Sequence, residues 1–78
     1  MLQVIDSGIP RDEIEQYFNR MGKKVEQGIY QLNECRIILT EGRTTAFMVR
    51  TIITFEGPQE RLEEIVFEYR MAFLRGGA

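Results

Sequence analysis

Apolar residues recur at helical spacing in two parts of the chain. The first set lies at i, i+3, i+4 and i+7, the stripe that a helix buries, and consists of Ile14, Tyr17, Phe18 and Met21. Pro10 suits the first turn of this helix, and Gly22 suits its end. A second helix is predicted from Pro58 to about Arg75. Its core face consists of Leu62, Ile65, Val66, Tyr69, Ala72 and Phe73.

Between the helices, apolar and polar residues alternate, which is the pattern of half-buried strands. One strand contains Cys35, Ile37 and Leu39, and a second spans residues 47–55 beyond a glycine turn. A short strand is also predicted at residues 2–6. Residues 29–32 have strand character, and they form either a separate strand or the start of the hairpin.

The register of the hairpin decides which side chains face the helices, because a shift of one residue exchanges the two faces. A two- or four-residue loop would place Glu34 and Arg36 on the core face, where an unpaired charge is costly. We therefore predict a three-residue loop, Gly42-Arg43-Thr44, with a bulge at or near Gly42. The core face then carries Cys35, Ile37, Leu39, Phe47, Val49, Thr51, Ile53 and Phe55.

These elements predict a single α+β domain over residues 1–78, with the order β-α-β-β-α. Two helices on one face of an antiparallel or mixed sheet would bury both apolar stripes in a two-layer sandwich. A split β-α-β arrangement of the ferredoxin-like kind accommodates this order. The pattern leaves the strand order open.

Composition limits the class of protein. The 78 residues are 44% hydrophobic and 28% charged, which argues against disorder, and the net charge of −2 gives no general attraction to nucleic acid or anionic lipid. No apolar run approaches the roughly 20 residues that span a bilayer. One cysteine cannot form an internal disulfide. We therefore expect a soluble cytoplasmic domain.

The residues of common catalytic sites are mostly missing. The chain has no histidine, which excludes histidine-based triads and the usual zinc ligands. It also has no phosphate-binding loop and no Gly-x-x-Gly loop of the KH type. Cys35 alternates with apolar residues, so it is predicted to be a buried structural thiol. We predict no catalytic residue, no metal and no cofactor.

Surplus apolar residues point instead to protein interaction. On the hairpin face turned away from the helices, the predicted register leaves Arg36, Ile38, Ala46, Met48, Arg50 and Ile52. Exposed apolar patches mark interaction surfaces, and their burial would help a domain of this size. We predict that this face binds a second copy, as a homodimer, or another protein. A second candidate patch on the last helix consists of Phe67, Met71 and Leu74.

Two other functions are weighed against this one. Ser7, Gly8 and Arg11 could hold an anion at the start of the first helix, as in an acylphosphatase-like enzyme or a small-ligand-binding protein, although Asp6 opposes this. Arginines of the hairpin could form a strip for RNA. A nucleic-acid platform usually adds aromatic residues on the same face, whereas the two hairpin phenylalanines are predicted to point inward.

The last five residues, Leu74-Arg75-Gly76-Gly77-Ala78, resemble the tails of ubiquitin-like carriers, which expose a Gly-Gly end after trimming. Those tails follow a final strand, whereas this one follows a predicted helix. We therefore interpret Gly76 and Gly77 as the end of that helix, with Arg75 near the negative end of its dipole.

Overall fold

The computed structural model describes the backbone of residues 1–76 and the side chains of residues 1–74. Residues 29–32 form a separate strand, one of the two alternatives that the sequence left open, and another strand precedes it. The second helix includes Gly76. Gly77, which the sequence also assigns to the end of this helix, lies outside the described residues. In chain order the elements are β1 (Leu2–Ser7), α1 (Arg11–Met21), β2 (Lys23–Glu26), β3 (Ile29–Leu32), β4 (Cys35–Thr44), β5 (Val49–Glu56) and α2 (Gln59–Gly76).

The strands form one sheet in the order β1-β5-β4-β3-β2, and every described pairing is antiparallel. Because β2 to β5 form a continuous meander that ends beside β1, strands β1 and β2 lie at opposite edges. The 11-residue α1 connects these edges. Its length of ~17 Å is close to the ~19 Å that four strand spacings require. The predicted ferredoxin-like order β-α-β-β-α is therefore wrong, and the observed order is β-α-β-β-β-β-α.

Two tight hairpins account for β2, which the pattern missed, and for the separation of β3 from β4, which the pattern left open. Glu26 pairs with Ile29, and Leu32 pairs with Cys35, so each connection has only two residues between paired positions. Gly28 (φ 78°) and Asn33 (φ 56°) lie in these turns with the positive φ that tight hairpins require. All four residues of β2 are exposed, which explains why β2 lacks apolar alternation.

The β4–β5 hairpin has the predicted faces but a different turn. Ile37 pairs with Phe55, whereas the predicted loop would pair it with Val49, a displacement of six residues. An even displacement keeps each side chain on its face, so the predicted inward residues from Cys35 to Leu39 and from Thr51 to Phe55 are confirmed. The bulge near Gly42 is also confirmed, because the register shifts between Glu41 and Thr44.

Phe47 and Val49 are the exceptions on this hairpin. The chain turns between Thr44 and Val49, which pair with each other, and Phe47 lies in the turn. Its side chain is 97% exposed, and Val49 is 42% exposed. The prediction that these two side chains belong to the core is therefore wrong.

The core lies between the helices and one face of the sheet. At its centre, the ring of Phe18 has its centroid 5.8 Å from that of Tyr69, 6.0 Å from that of Tyr30 and 6.2 Å from that of Phe55. The predicted helix stripes are largely confirmed, although Met21 is 40% exposed and Ala72 is also exposed. The buried apolar residues are Ile14, Tyr17, Phe18, Tyr30, Cys35, Ile37, Leu39, Ile53, Phe55, Leu62, Ile65, Val66 and Tyr69.

Polar groups at the core boundary are satisfied by one another. The hydroxyls of Ser7 and Tyr69 share a hydrogen bond of 2.8 Å, and the Tyr30 hydroxyl donates to Glu15 Oε1 at 3.1 Å. Within residues 1–74, no buried side-chain nitrogen or oxygen lacks a partner. Burial, followed by the nearby Glu34, raises the pKa of the Cys35 thiol, which agrees with the predicted structural role of this cysteine.

Titration of the Tyr30 hydroxyl is expected to make the protein less stable at alkaline pH. Burial, followed by the hydrogen bond to Glu15, raises the pKa of Tyr30 to about 12, whereas an unfolded tyrosine titrates near about 10. The folded state therefore holds this proton more tightly, and the stabilisation present below pH ~10 is lost as pH rises towards ~12. We expect the free energy of unfolding, measured by urea titration with circular dichroism, to fall across this window.

The Tyr30→Phe variant isolates this contribution. Tyr17 and Tyr69 also have pKa values raised by burial, so some alkaline destabilisation persists in the variant. The fall in unfolding free energy should nevertheless be shallower than in the parent protein. Equal slopes for the two proteins between pH ~10 and ~12 would show that Tyr30 does not contribute.

Candidate functional site

One face of the sheet, which we call the open face, is turned away from both helices. The strand register places its side chains in rows that run across the sheet. The central row joins Val4, Thr54, Ile38 and Ile29, each paired with the next in the neighbouring strand. Val4 is 59% exposed, and the other three are half-buried. An uninterrupted row of aliphatic and threonine side chains therefore crosses four strands without a covering layer.

The adjoining rows combine apolar and charged side chains. On one side, Ile52 lies between Asp6 and Thr40. On the other side, Glu56 lies between Leu2 and Arg36. The open face therefore has a central apolar band with charges of both signs at its borders.

An ion pair orders one border of the open face. Arg50 Nε donates to Asp6 Oδ1 at 2.8 Å, and a second guanidinium nitrogen of Arg50 donates to the Asp6 carbonyl oxygen at 3.2 Å. Both side chains are partly exposed, so solvent screens this pair and its contribution to stability is small. Its main effect is to hold the Arg50 side chain over the end of β1.

The structure brings together four of the six residues that the sequence placed in the interaction surface. Arg36, Ile38, Arg50 and Ile52 all lie on the open face. The other two, Ala46 and Met48, lie in the β4–β5 turn, because the turn is later in the chain than predicted.

The sequence did not identify Leu2, Val4 and Ile29 as members of this surface. Leu2 and Val4 are 63% and 59% exposed on β1, and Ile29 pairs with Ile38. The alternation of β1 was a usable signal for its two faces. Its pairing with β5 could not be inferred, because the partners are some 50 residues apart in the chain.

The second predicted patch lies on the outer surface of α2. Phe67 and Leu74 are exposed, and Met71 is 37% exposed. Phe67 and Met71 line an open groove of ≈ 470 Å³ between the helices, whereas Leu74 is not among its lining residues. The remaining lining residues are Tyr17, Met21, Glu68 and Ala72.

Two of the three residues of the predicted anion site, Ser7 and Arg11, have side-chain contacts within the protein. The Ser7 hydroxyl bonds with Tyr69 and accepts a hydrogen bond from the Ile9 N–H at 3.2 Å. Arg11 Nε donates to Glu15 Oε2 at 3.1 Å. A Cβ on Gly8 would lie 3.0 Å from the Arg50 guanidinium. The side chains of Ser7 and Arg11 are therefore engaged within the protein, and anion binding at this turn stays a prediction.

Residues 1–74 contain no group of acidic or cysteine side chains with the arrangement of a metal site. Neither α1 nor α2, within its described residues, has the length and apolar character of a membrane-crossing helix. Phe55 points into the core and Phe47 lies in a turn, so neither provides a stacking platform beside the arginines of the open face.

Comparison with protein families gives a match to the archaeal MoaD-like protein model over residues 3–78. The match covers nearly the whole chain. The chain belongs to this family. MoaD-like proteins are assigned to the β-grasp class, and the topology that this chain has within the described residues is the antiparallel order β1-β5-β4-β3-β2. Comparisons with curated proteins and with solved structures give no match.

Proposed function

We propose that this member of the MoaD-like family is a non-catalytic interaction module that binds a second copy of itself through the open face. The observation that carries the proposal is the central row from Val4 to Ile29, which crosses four strands uncovered. Burial of apolar side chains is the main favourable term in protein association. Sheet faces also pack against each other at a spacing of ~10 Å, which gives this contact a well-precedented geometry.

The charges on the open face favour a second copy as the partner. A two-fold contact is self-complementary, so that residue i meets residue j and residue j meets residue i. Arg36 and Glu56 are neighbours beside the central row, and Arg50 is already paired with Asp6. A two-fold axis near Ile38 can therefore oppose unlike charges, whereas a strongly acidic or basic partner would meet like charge.

The size of the open face predicts a weak dimer. Five strands span ~19 Å, and strands of six to eight residues are roughly 20–26 Å long, so each copy offers roughly 400–500 Å². A standard interface buries about 800 Å² from each partner. We therefore expect the contact to depend on protein concentration.

Lysine at Ile38 should abolish association through the open face. Ile38 is in a central strand and half-buried on this face, so Ile38→Lys brings two charges towards the two-fold axis while leaving the core on the opposite face intact. Sedimentation velocity over a wide concentration range should show clearly weaker association of Ile38→Lys than of the parent protein. Ile52→Lys should act in the same direction.

The matched control is Phe67→Lys, which places the same charge on the exposed apolar patch of α2. This variant should associate like the parent protein. A parent protein that is monomeric at every concentration would contradict the proposal. So would an Ile38→Lys variant that remains folded by circular dichroism and associates as strongly as the parent protein.

A further inference from the structure

The two edges of the sheet differ in the features that prevent strand pairing. The β2 edge is short, carries Lys23 and Lys24, and has an irregular register in its pairing with β3. Charged residues, short length and bulges are the usual protection of an edge strand. By contrast, β1 has six residues in continuous register with β5, contains no proline, and has one charged residue, Asp6, which is paired with Arg50. The β1 edge is therefore the one suited to receive another strand.

The hydrogen bonds of Met1 show which backbone groups of β1 face outward. Met1 N donates to the Gly57 carbonyl at 3.2 Å, and Gly57 N donates to the Met1 carbonyl at 3.1 Å. A pair that exchanges both bonds alternates along an antiparallel ladder with a pair that exchanges none. The N–H and C=O groups of Leu2, Val4 and Asp6 consequently point away from β5, to the edge of the sheet.

We propose that the β1 edge pairs antiparallel with β1 of a second copy, with Leu2 opposite Val4 of the other chain. The Asp6 carbonyl already accepts a hydrogen bond from Arg50, which leaves Leu2 and Val4 as the residues with both edge groups available. In this register they exchange both N–H···O bonds across the two-fold axis. A register centred on Val4 would instead oppose Leu2 and Asp6, whose carbonyl is occupied.

The side chains agree with this register. Leu2 and Val4 are 63% and 59% exposed, and pairing them across the axis removes apolar surface from water on the open face. Gln3 lies on the axis opposite its own copy, in a pair without backbone bonds, where the two Cα atoms approach to ~4.5 Å. Its side chain is exposed on the helix side of the sheet, because its partner Phe55 points into the core.

The position of Gln3 provides a charge-swap experiment. Gln3→Glu opposes two carboxylates at the axis, and Gln3→Lys opposes two ammonium groups, so each variant alone should dimerise about fivefold more weakly or worse. An equimolar mixture should recover association as a heterodimer, which sedimentation and native mass spectrometry detect. Because Gln3 is exposed, both variants should keep the circular dichroism of the parent protein. Val25→Glu on the exposed β2 edge is the matched control and should change nothing.

Amide hydrogen exchange provides a second readout of the same contact. The amides of Leu2 and Val4 should exchange rapidly in dilute protein and slowly at concentrations where dimers form. The amides of Gln3 and Ile5 bond to β5, so their protection should not depend on concentration. Unchanged association of the Gln3 variants, a mixture that fails to associate, or free exchange of Leu2 and Val4 in the dimer would each overturn the proposal.

The edge contact and the open-face contact can be tested independently of each other. Gln3 lies on the helix side, so its variants do not disturb the open face, and Ile38 lies in a central strand, so its variant does not remove an edge hydrogen bond. If only the edge contact forms, Ile38→Lys still dimerises and protects the Leu2 and Val4 amides. If only the open-face contact forms, the Gln3 variants associate like the parent protein.

Discussion

Replacement of Phe18 by alanine is expected to remove most of the free energy that keeps the protein folded. The Phe18 side chain is fully buried, and its ring contacts four other aromatic rings, contributed by both helices and the sheet. Truncation of a buried phenylalanine costs about 3–5 kcal/mol, because a cavity remains where the ring was. A small domain has a total stability near the low end of about 5–15 kcal/mol. Urea titration followed by circular dichroism measures the loss.

Phe67→Ala is the matched control for this prediction. It removes the same ring from α2, but Phe67 is 64% exposed, so the substitution should change the unfolding free energy by less than about 1 kcal/mol. Similar losses for the two variants would show that the aromatic cluster around Phe18 is not the centre of the core.

The helices could be predicted because the pattern that defines them is local. Ile14, Tyr17 and Phe18 fall on one face of any helix formed by that stretch, whatever packs against it. Strand order depends instead on contacts between distant residues. Nothing near Leu2 indicates that it pairs with Glu56, and this pairing is the feature that replaces the ferredoxin-like order with the observed one.

The hairpin shows how a prediction of faces can be right while the turn is wrong. Paired residues lie on the same face of a sheet, so Arg36 stays out of the core whenever it pairs with an even-numbered residue of β5. Both the predicted and the observed registers satisfy that condition. The bulge and the later turn move the pairing by six residues without changing the faces of residues 35–39 and 51–55, whereas Phe47 and Val49 leave the core. Phe47 falls on the core face only if the alternation of β5 extends back to residue 47, whereas the chain turns between Thr44 and Val49.

The sequence likewise predicted only some of the residues of the candidate site. Ile38 and Ile52 could be assigned to the open face from the alternation of side chains along each strand, because both lie within the regular part of the β4–β5 pairing. Val4 and Ile29 join them only through pairings with other strands. Asn33 was the missed local signal, since an asparagine that accepts positive φ is typical of the tight turn joining β3 to β4.

Gly57→Ala is expected to destabilise the protein by about 2–4 kcal/mol, through backbone strain and overpacking together. Gly57 has φ 152°, a conformation that residues with a side chain rarely adopt. A Cβ at this position would lie 2.7 Å from Cys35 Sγ, 3.1 Å from Cys35 Cα and 3.2 Å from the Glu34 carbonyl oxygen. Two of these three atoms belong to the backbone at the start of β4, so they cannot move without disturbing the sheet. Urea titration of the parent and variant measures the difference.

A double-mutant cycle with Cys35→Ala separates the effect of the Cys35 thiol contact from the effects of the backbone contacts and the positive φ. Removal of the thiol relieves the shortest contact, so Gly57→Ala should cost about 1 kcal/mol less in the Cys35→Ala background than in the parent. The remaining loss reflects the backbone contacts and the positive φ. Gly8→Ala is the matched control, because its added Cβ would meet only the end of the Arg50 side chain, which can move aside. A cost for Gly57→Ala no larger than that for Gly8→Ala would mean that the β5–α2 connection adapts to a side chain by shifting away from β4.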